Sequence, residues 1–338
     1  MKLLPVPDLP EVSPGDDLAG LIADRATLEP GDVVTVASTV VSKAEGRTVD
    51  LADVTAGERA AAIATRLEEI TGDEKDPRFA QVVLDESDEL LMEAPFLLTV
   101  SPFGHVGVNA GIDRSNVPDA DLLLLPREPT ASAERIRSGF LSRVDWSDER
   151  GDLDDRDGRS AVTATRGDGG RTTRTDSAIE ESGGGEPGGG KPEVEDSGIA
   201  DPEVEDTGAR DTTAEDGRRA TPTETAGVDD LAVIVTDTCG RPFRHGQRGV
   251  ALGWAGMPAS RDWRGEPDRD GRELGVTVQS VVDELAAAAN LVAGEGAGGT
   301  PAVVVRDFAF GDHAGSDRLF RDPETDFVRQ ALREWSFE

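Results

Sequence analysis

Three stretches of this 338-residue chain place a carboxylate among glycines or hydroxyls soon after an apolar segment. They are "NAGIDRSNVP" (109–118), "TDTCGRP" (236–242) and "GEGAGGTP" (294–301). Asp113, Asp237 and Glu295 would jointly supply the hard oxygen ligands that Mg²⁺ or Mn²⁺ takes, with a hydroxyl added by Thr238. Two such ions about 4 Å apart clamp a phosphoryl group in transfer. An Asp at a strand end also caps turns, so each motif taken singly reads either way. Phosphate oxygens need close backbone N–H groups, and "AGEGAGGT" (293–300) offers four glycines for that purpose. No Gly-Lys-Ser/Thr follows, so this is not a Walker loop. "STVVSKAEGR" (38–47) sets Ser38, Thr39 and Lys43 just past a strand-like run. Lys43 reads as a phosphate clamp or as an ordinary exposed lysine.

Cys239 is the only cysteine, which excludes an intrachain disulfide and any multi-cysteine metal cluster. Its neighbours Asp237, Thr238, Arg241 and His245 leave two readings, a thiol nucleophile or a bystander to metal and phosphate chemistry. His245 is a candidate base or a solvated surface residue, and His105 and His313 lack metal-like partner spacing. Trp254 and Trp263 read as core or lobe-interface residues rather than a stacking platform. Arg241, Arg244 and Arg264 are the guanidinium groups nearest these motifs and suit acidic substrates.

The elements that must hold these residues are partly legible. "DVVTVA" (32–37) alternates as a strand, and Ala60, Ile63, Leu67 and Ile70 mark one face of a helix. The pattern predicts a second helix over 76–92, strands over 96–101 and 120–125, and a helix over 130–144. A strand over 231–235 leads into the TDTCGRP motif, a helix from Val278 to Val292 stops at Gly294, and a strand covers 302–305. Without regular βαβ spacing, this order predicts an α+β fold: mixed, largely antiparallel sheets and packed helices in two lobes. Between them, 145–228 is rich in Gly, Asp, Glu and Thr and holds the tandem decapeptides "PEVEDSGIAD" and "PEVEDTGARD". Its few apolar residues do not offset an ordering cost of roughly 1–2 kcal/mol per residue, so it reads as a disordered acidic insertion. The expected division is 1–144, 145–228 and 229–338.

The formal net charge of −33 and the lack of a basic stripe exclude counterion-release binding to nucleic acid and adhesion to an anionic membrane. No window reaches 18 apolar residues and the N-terminus builds no signal-peptide core, so a cytoplasmic location is expected. Of the 35 basic residues 31 are arginine, and tyrosine is absent. With the high acid content, this composition resembles that of salt-adapted archaea.

Taken in order, "VVSKAEGR", "NAGIDRSN", "LLLLPREP", "TDTCGRP", "RDWRG" and "DELAAAANLV" resemble the archaeal coenzyme F420-0:L-glutamate ligases, also called F420:γ-glutamyl ligases. The likeness covers 1–143 and 229–306. It implies GTP-dependent addition of L-glutamate to the deazaflavin coenzyme F420-0, followed by γ-linked extension. It implies two Mg²⁺ or Mn²⁺ ions per site, one held by Asp113 and Asp237 and one by Thr238 and Glu295, with K⁺ as an optional further ion. Nucleotide contacts would come from Leu9, Pro10, Glu11 and Val12; from Ser38, Thr39, Lys43 and Asn116; and from Ala293, Gly294, Glu295, Gly296, Ala297, Gly298, Gly299 and Thr300. An embracing homodimer is also implied. The chain departs from the family at Cys239, where an aromatic is usual, at Phe243 in place of a Trp, and at Phe103-Gly104. A position that accepts Phe or Cys does not carry a nucleophile, so the resemblance makes Cys239 a bystander. The alternatives at this point are a nucleotide-dependent ligase for another acidic acceptor, a metal-dependent phosphohydrolase, and a non-catalytic nucleotide-binding regulator.

Overall fold

The computed structural model describes residues 1–115, 117, 119–143, 231–296, 298–311 and 313–335. The acidic stretch 145–228, Asn116 and Ala297 therefore lie outside the described residues. The strand that organises the rest is β2 (Val33–Ala37), whose sequence VVTVA is apolar on both faces, as a strand covered on both sides requires. Its neighbours are both distant in sequence. With β1 (Lys2–Pro5), β8 (Ala232–Arg241), β9 (Arg244–Ala255) and β12 (Ala302–Arg306), it forms a five-stranded sheet of order β1-β12-β2-β8-β9. The β2–β8 pair is parallel and the others are antiparallel.

The two-residue alternation of these strands divides the core. Val34, Val36, Val233, Val235 and Val304 pack on one face against Leu18 and Ile22 of α1 (Leu18–Ala23), Val41 of α2 (Ser38–Ala44) and Ile136 and Phe140 of α5 (Pro129–Leu141). Val33, Ala232, Ile234 and Val305 pack on the other against Val281, Val282 and Leu285 of α6 (Val281–Ala293). Two glycines let β9 fit between the helices. A Cβ on Gly253 would overlap the backbone of Pro129 and Thr130, and one on Gly249 would lie 2.5 Å from the Ala286 carbonyl oxygen.

Around this sheet lie β3 (Thr48–Val49) paired with β7 (Leu122–Leu123), and β4 (Glu89–Met92), β5 (Leu98–Val100) and β6 (Val106–Val108) in a second antiparallel sheet. Helices α3 (Glu58–Thr71) and α4 (Pro77–Asp85) cover this three-stranded sheet through Ile63, Leu67, Ala80 and Val83. A third small sheet joins β10 (Ser260–Asp262), β11 (Val278–Ser280) and β13 (Ala314–Ser316). Seven α-helices and mostly antiparallel sheets make the described fold α+β.

Several boundaries differ from expectation. The helix expected over 76–92 ends at Asp85, because the turn-forming sequence Glu86-Ser87-Asp88 breaks it and Glu89–Met92 pair with β5 instead. The strand expected over 120–125 shortens to Leu122–Leu123, although Leu122 through Leu125 are all buried. The strand expected over 96–101 is Leu98–Val100. Helix α7 (Phe327–Glu334) was not anticipated; it is tethered by Arg329 and Arg333, which both pair with Glu89.

Candidate functional site

Topology brings the sequence motifs together. Since β1, β2 and β8 point the same way and β12 runs against them, the exits of β1 and β2, the middle of β8 and the entry of β12 share one edge of the sheet. From that edge emerge 9–12, 38–43, Asp237 with Thr238, and the described glycine-loop residues 293–296 and 298–300. The carboxyl ends of parallel strands are where such sheets bind ligands. The register ties them closely, with Ala37 opposite Thr236 and the Ala37 N–H donating 2.7 Å to the Pro301 carbonyl.

Asp237 is at the centre. The strand expected over 231–235 runs on through Thr236 to Arg241, because β9 pairs with this segment out to Arg241 opposite Arg244. The buried Ser38 hydroxyl donates to Asp237 Oδ1 at 3.2 Å, across 199 positions of sequence. Burial pushes the Asp237 carboxyl up to about 6, helped by the negative charges of Asp113 and Glu295; the Thr238 N–H and the Ser38 hydroxyl oppose the shift. Asp113 and Glu295 thus share the electrostatic neighbourhood of Asp237.

Asp113 is fixed by backbone pairing with Leu123, at 2.9 and 2.8 Å. Its carboxylate accepts the Ser115 N–H at 2.7 Å and the Ser115 hydroxyl. Glu295 is exposed just beyond α6 and accepts from Asn290 Nδ2 at 2.7 Å. No lysine, arginine or histidine pairs with any of the three carboxylates among the described residues. Nor does any group of three or more His, Cys, Asp and Glu there have the spacing to hold a metal as it stands. The donor chemistry nonetheless fits a hard divalent cation: carboxylates and a Thr hydroxyl, one carboxylate destabilised by burial and like charge, and no internal cation to neutralise it.

The glycine loop leaves room for a ligand. A Cβ on Gly294, Gly296 or Gly299 would meet nothing within 4 Å. Gly294 (φ 73°) and Gly299 (φ 61°) take the left-handed backbone that glycine permits, and the Thr300 hydroxyl donates to the Gly298 carbonyl at 3.2 Å. In the N-terminal segment Leu9 and Val12 pack into the core, while Pro10 and Glu11 face solvent. Lys43, largely covered on α2, forms an ion pair with Glu11, so two expected nucleotide contacts engage each other. Thr39 is half-buried beside Ser38.

Cys239 lies on β8 against Phe103, Leu125, Val250 and Leu252. Burial, then the Asp237 charge, pushes its thiol above the usual range, which disfavours the thiolate a nucleophile needs. Burial lowers His105 to about 4, so the ring stacked beside Phe103 is neutral. His245 is exposed, and the His313 ring lies 3.9 Å from Trp263. Trp263 and Trp254 donate to Gln279 and Asp317. Asn290 and Ser115, which anchor candidate ligands, are not recognisable from the sequence, since an amide and a hydroxyl carry no signature alone.

The chain matches the family described as F420-0:Gamma-glutamyl ligase over residues 8–147 and 219–307. It is 54% identical to the Coenzyme F420:L-glutamate ligase of Halorubrum lacusprofundi, across all of both chains. The protein of the same name from Natronomonas pharaonis is 51% identical across all of this chain and 98% of its own length. That of Archaeoglobus fulgidus is 36% identical, with 98% of each chain covered. With the motifs gathered at one sheet edge and relatives this similar end to end, the chain belongs to the F420-0:gamma-glutamyl ligase family.

Proposed function

We propose that this protein ligates L-glutamate to the deazaflavin coenzyme F420-0 at the expense of GTP and extends the product by γ-linkage. The observation carrying this reading is the shared sheet edge, where three carboxylates without an internal cation meet an open glycine loop and Lys43. The names of the relatives support the substrates.

A carboxylate is a poor acyl donor, so it must first be activated. The coenzyme's terminal carboxylate oxygen attacks the γ-phosphorus, the bond to the β-phosphate oxygen breaks, and GDP leaves an acyl phosphate. The glutamate amine, having lost a proton, attacks the acyl carbon; the amide forms and phosphate departs. Lys43 would neutralise phosphoryl oxygens once released from Glu11, and the backbone of 293–300 would hold the nucleotide's phosphates. Asp113 and Asp237 would hold one Mg²⁺ or Mn²⁺ and Thr238 and Glu295 a second, supplying charge neutralisation to the transferring group. A homodimer and a cytoplasmic location belong to the same reading; among the described residues no helix is long and apolar enough to cross a membrane.

The test is incubation with GTP, Mn²⁺, L-glutamate and the deazaflavin acceptor, followed by mass spectrometry. A glutamyl increment that needs every component is expected. GTP turnover without acceptor would replace the ligase by a phosphohydrolase, GTP binding without turnover by a regulator, and activity only on another acid would move the acceptor.

A further inference from the structure

Residues Cys239 to Arg248, the outer part of the β8–β9 hairpin, hold Arg241, Arg244, His245 and Arg248 and no acid, in a chain with 68 acids among 338 residues. Arginine density alone is not the point. Helix α5 and its end carry Arg135 and Arg143 in a similarly acid-free run, but these pair with Glu45 and Asp17. Arg264 is likewise engaged, since its guanidinium forks onto Asp262 at 2.7 to 3.2 Å and holds that carboxyl at about 2. The hairpin arginines are all exposed and have no ion-pair partner among the described residues. Arg241 lies directly opposite Arg244 across the strands. Like charges in that position destabilise a hairpin unless an anion comes between them.

The arm is also aimed. Its strand β8 carries Asp237 two residues before Cys239, and Cys239 pairs with Arg248 across the hairpin. Successive side chains alternate faces, so Asp237 and Cys239 share one. The base of the hairpin is fixed between α5 and α6 by Gly253 and Gly249, while the tip stands clear, with Phe243 fully exposed.

We propose that Arg241, Arg244 and Arg248 form a binding arm for a short polycarboxylate, the acidic acceptor with its growing γ-glutamyl tail, leading its terminal carboxyl toward Asp237. This rests on the ligase reading above. Guanidinium forks match carboxylates bidentately, a contact that survives salt concentrations at which long-range attraction is screened.

The probe is tri-γ-glutamate, titrated calorimetrically in concentrated KCl against wild type and the triple variant Arg241→Gln/Arg244→Gln/Arg248→Gln. GTP is titrated separately, and a triple Arg→Lys variant keeps the charge without the fork. The expected result is peptide binding weakened at least about tenfold by the glutamines, and by less with lysines, at unchanged GTP affinity. In turnover the acceptor KM rises and the GTP KM does not. Equal peptide affinity in all three proteins overturns the arm. So does conversion of the glutamine variant to a smaller species in sedimentation, which assigns the arginines to contact with a second copy of the chain. Peptide binding by a wild type that forms no glutamyl product would sink the ligase reading alone.

Discussion

At one edge of the five-stranded sheet Asp32 and Glu29 meet the Arg306 guanidinium; at the other, Asp113, Asp237 and Glu295 meet hydroxyls and amides, and the charges of Asp113 and Glu295 act on Asp237. Asp32 is 1% exposed, yet Arg306 Nε and Nη2 donate to it at 2.9 and 2.8 Å, and a further nitrogen reaches Glu29. A buried carboxylate with its own cation is a structural tie. A buried carboxylate without one is unfavourable in the isolated chain and has unused capacity for a cation from outside. The two edges thus separate acids that hold the sheet from acids set aside for a ligand.

The contrast is sharpest in stability. Arg306→Ala leaves Asp32 buried and uncompensated and should cost about 3–5 kcal/mol, measured by denaturant unfolding at fixed salt. A loss below 1 kcal/mol would show the paired edge to be no tie at all. At the other edge, Asp237→Asn should lower turnover on the order of a hundredfold or more, with little loss of melting temperature, because it removes a ligand rather than a structural charge. Near-normal turnover in that variant would dissolve the distinction from the opposite side.

Glu89 extends the paired class and gives it a pH signature. Hydrogen bonding from Arg333, outweighing desolvation, and then from Arg329 holds its carboxyl below the usual range. Its contribution is therefore complete above the unfolded value of about 4.3 and disappears as pH falls through the lower folded value. Melting curves of wild type and Arg333→Met should differ at pH 6 and converge in acid; a constant gap would remove Glu89 as the cause. A smaller effect is expected at exposed Glu295, where Glu295→Gln should shift the Mn²⁺ dependence of GTP turnover so that added Mn²⁺ restores much of the rate. Superimposable titrations would place Glu295 outside the site. Cys239→Ala should change turnover least, within about twofold, since burial disfavours its thiolate; an inactive variant with normal melting would restore thiol chemistry.

Residue types disclosed the candidate chemistry better than they disclosed its support. Asp113, Asp237 and the glycines of 294–299 stand out because each motif sets a carboxylate among glycines or hydroxyls soon after an apolar run. What places them together is strand order, and β2 gives no local sign that its neighbours begin at Ala232 and Ala302. The extension of β8 through Thr236 to Arg241 was illegible for a related reason. Asp and Gly disfavour strands, and only the cross-strand partners in β9 overrule them. The Lys43–Glu11 pair was hidden in the same way: both residues were candidates, but their contact depends on how the chain after β1 lies along α2.

The sheet order carries a consequence for biosynthesis. Strands β1 and β2 are not neighbours; β12 separates them, and β8 covers the other flank of β2. A nascent chain that has emerged only as far as α5 has none of the hydrogen-bonding partners its two strands use in the sheet. The central sheet closes only after the last of its strands, around residue 306, has left the ribosome, and distant pairings of this kind are slow to form. Until α6 and the later strands have emerged, the face of β2 that carries Val33 and both of its hydrogen-bonding flanks await cover, so release of truncated products would yield aggregation-prone fragments rather than partly working ones.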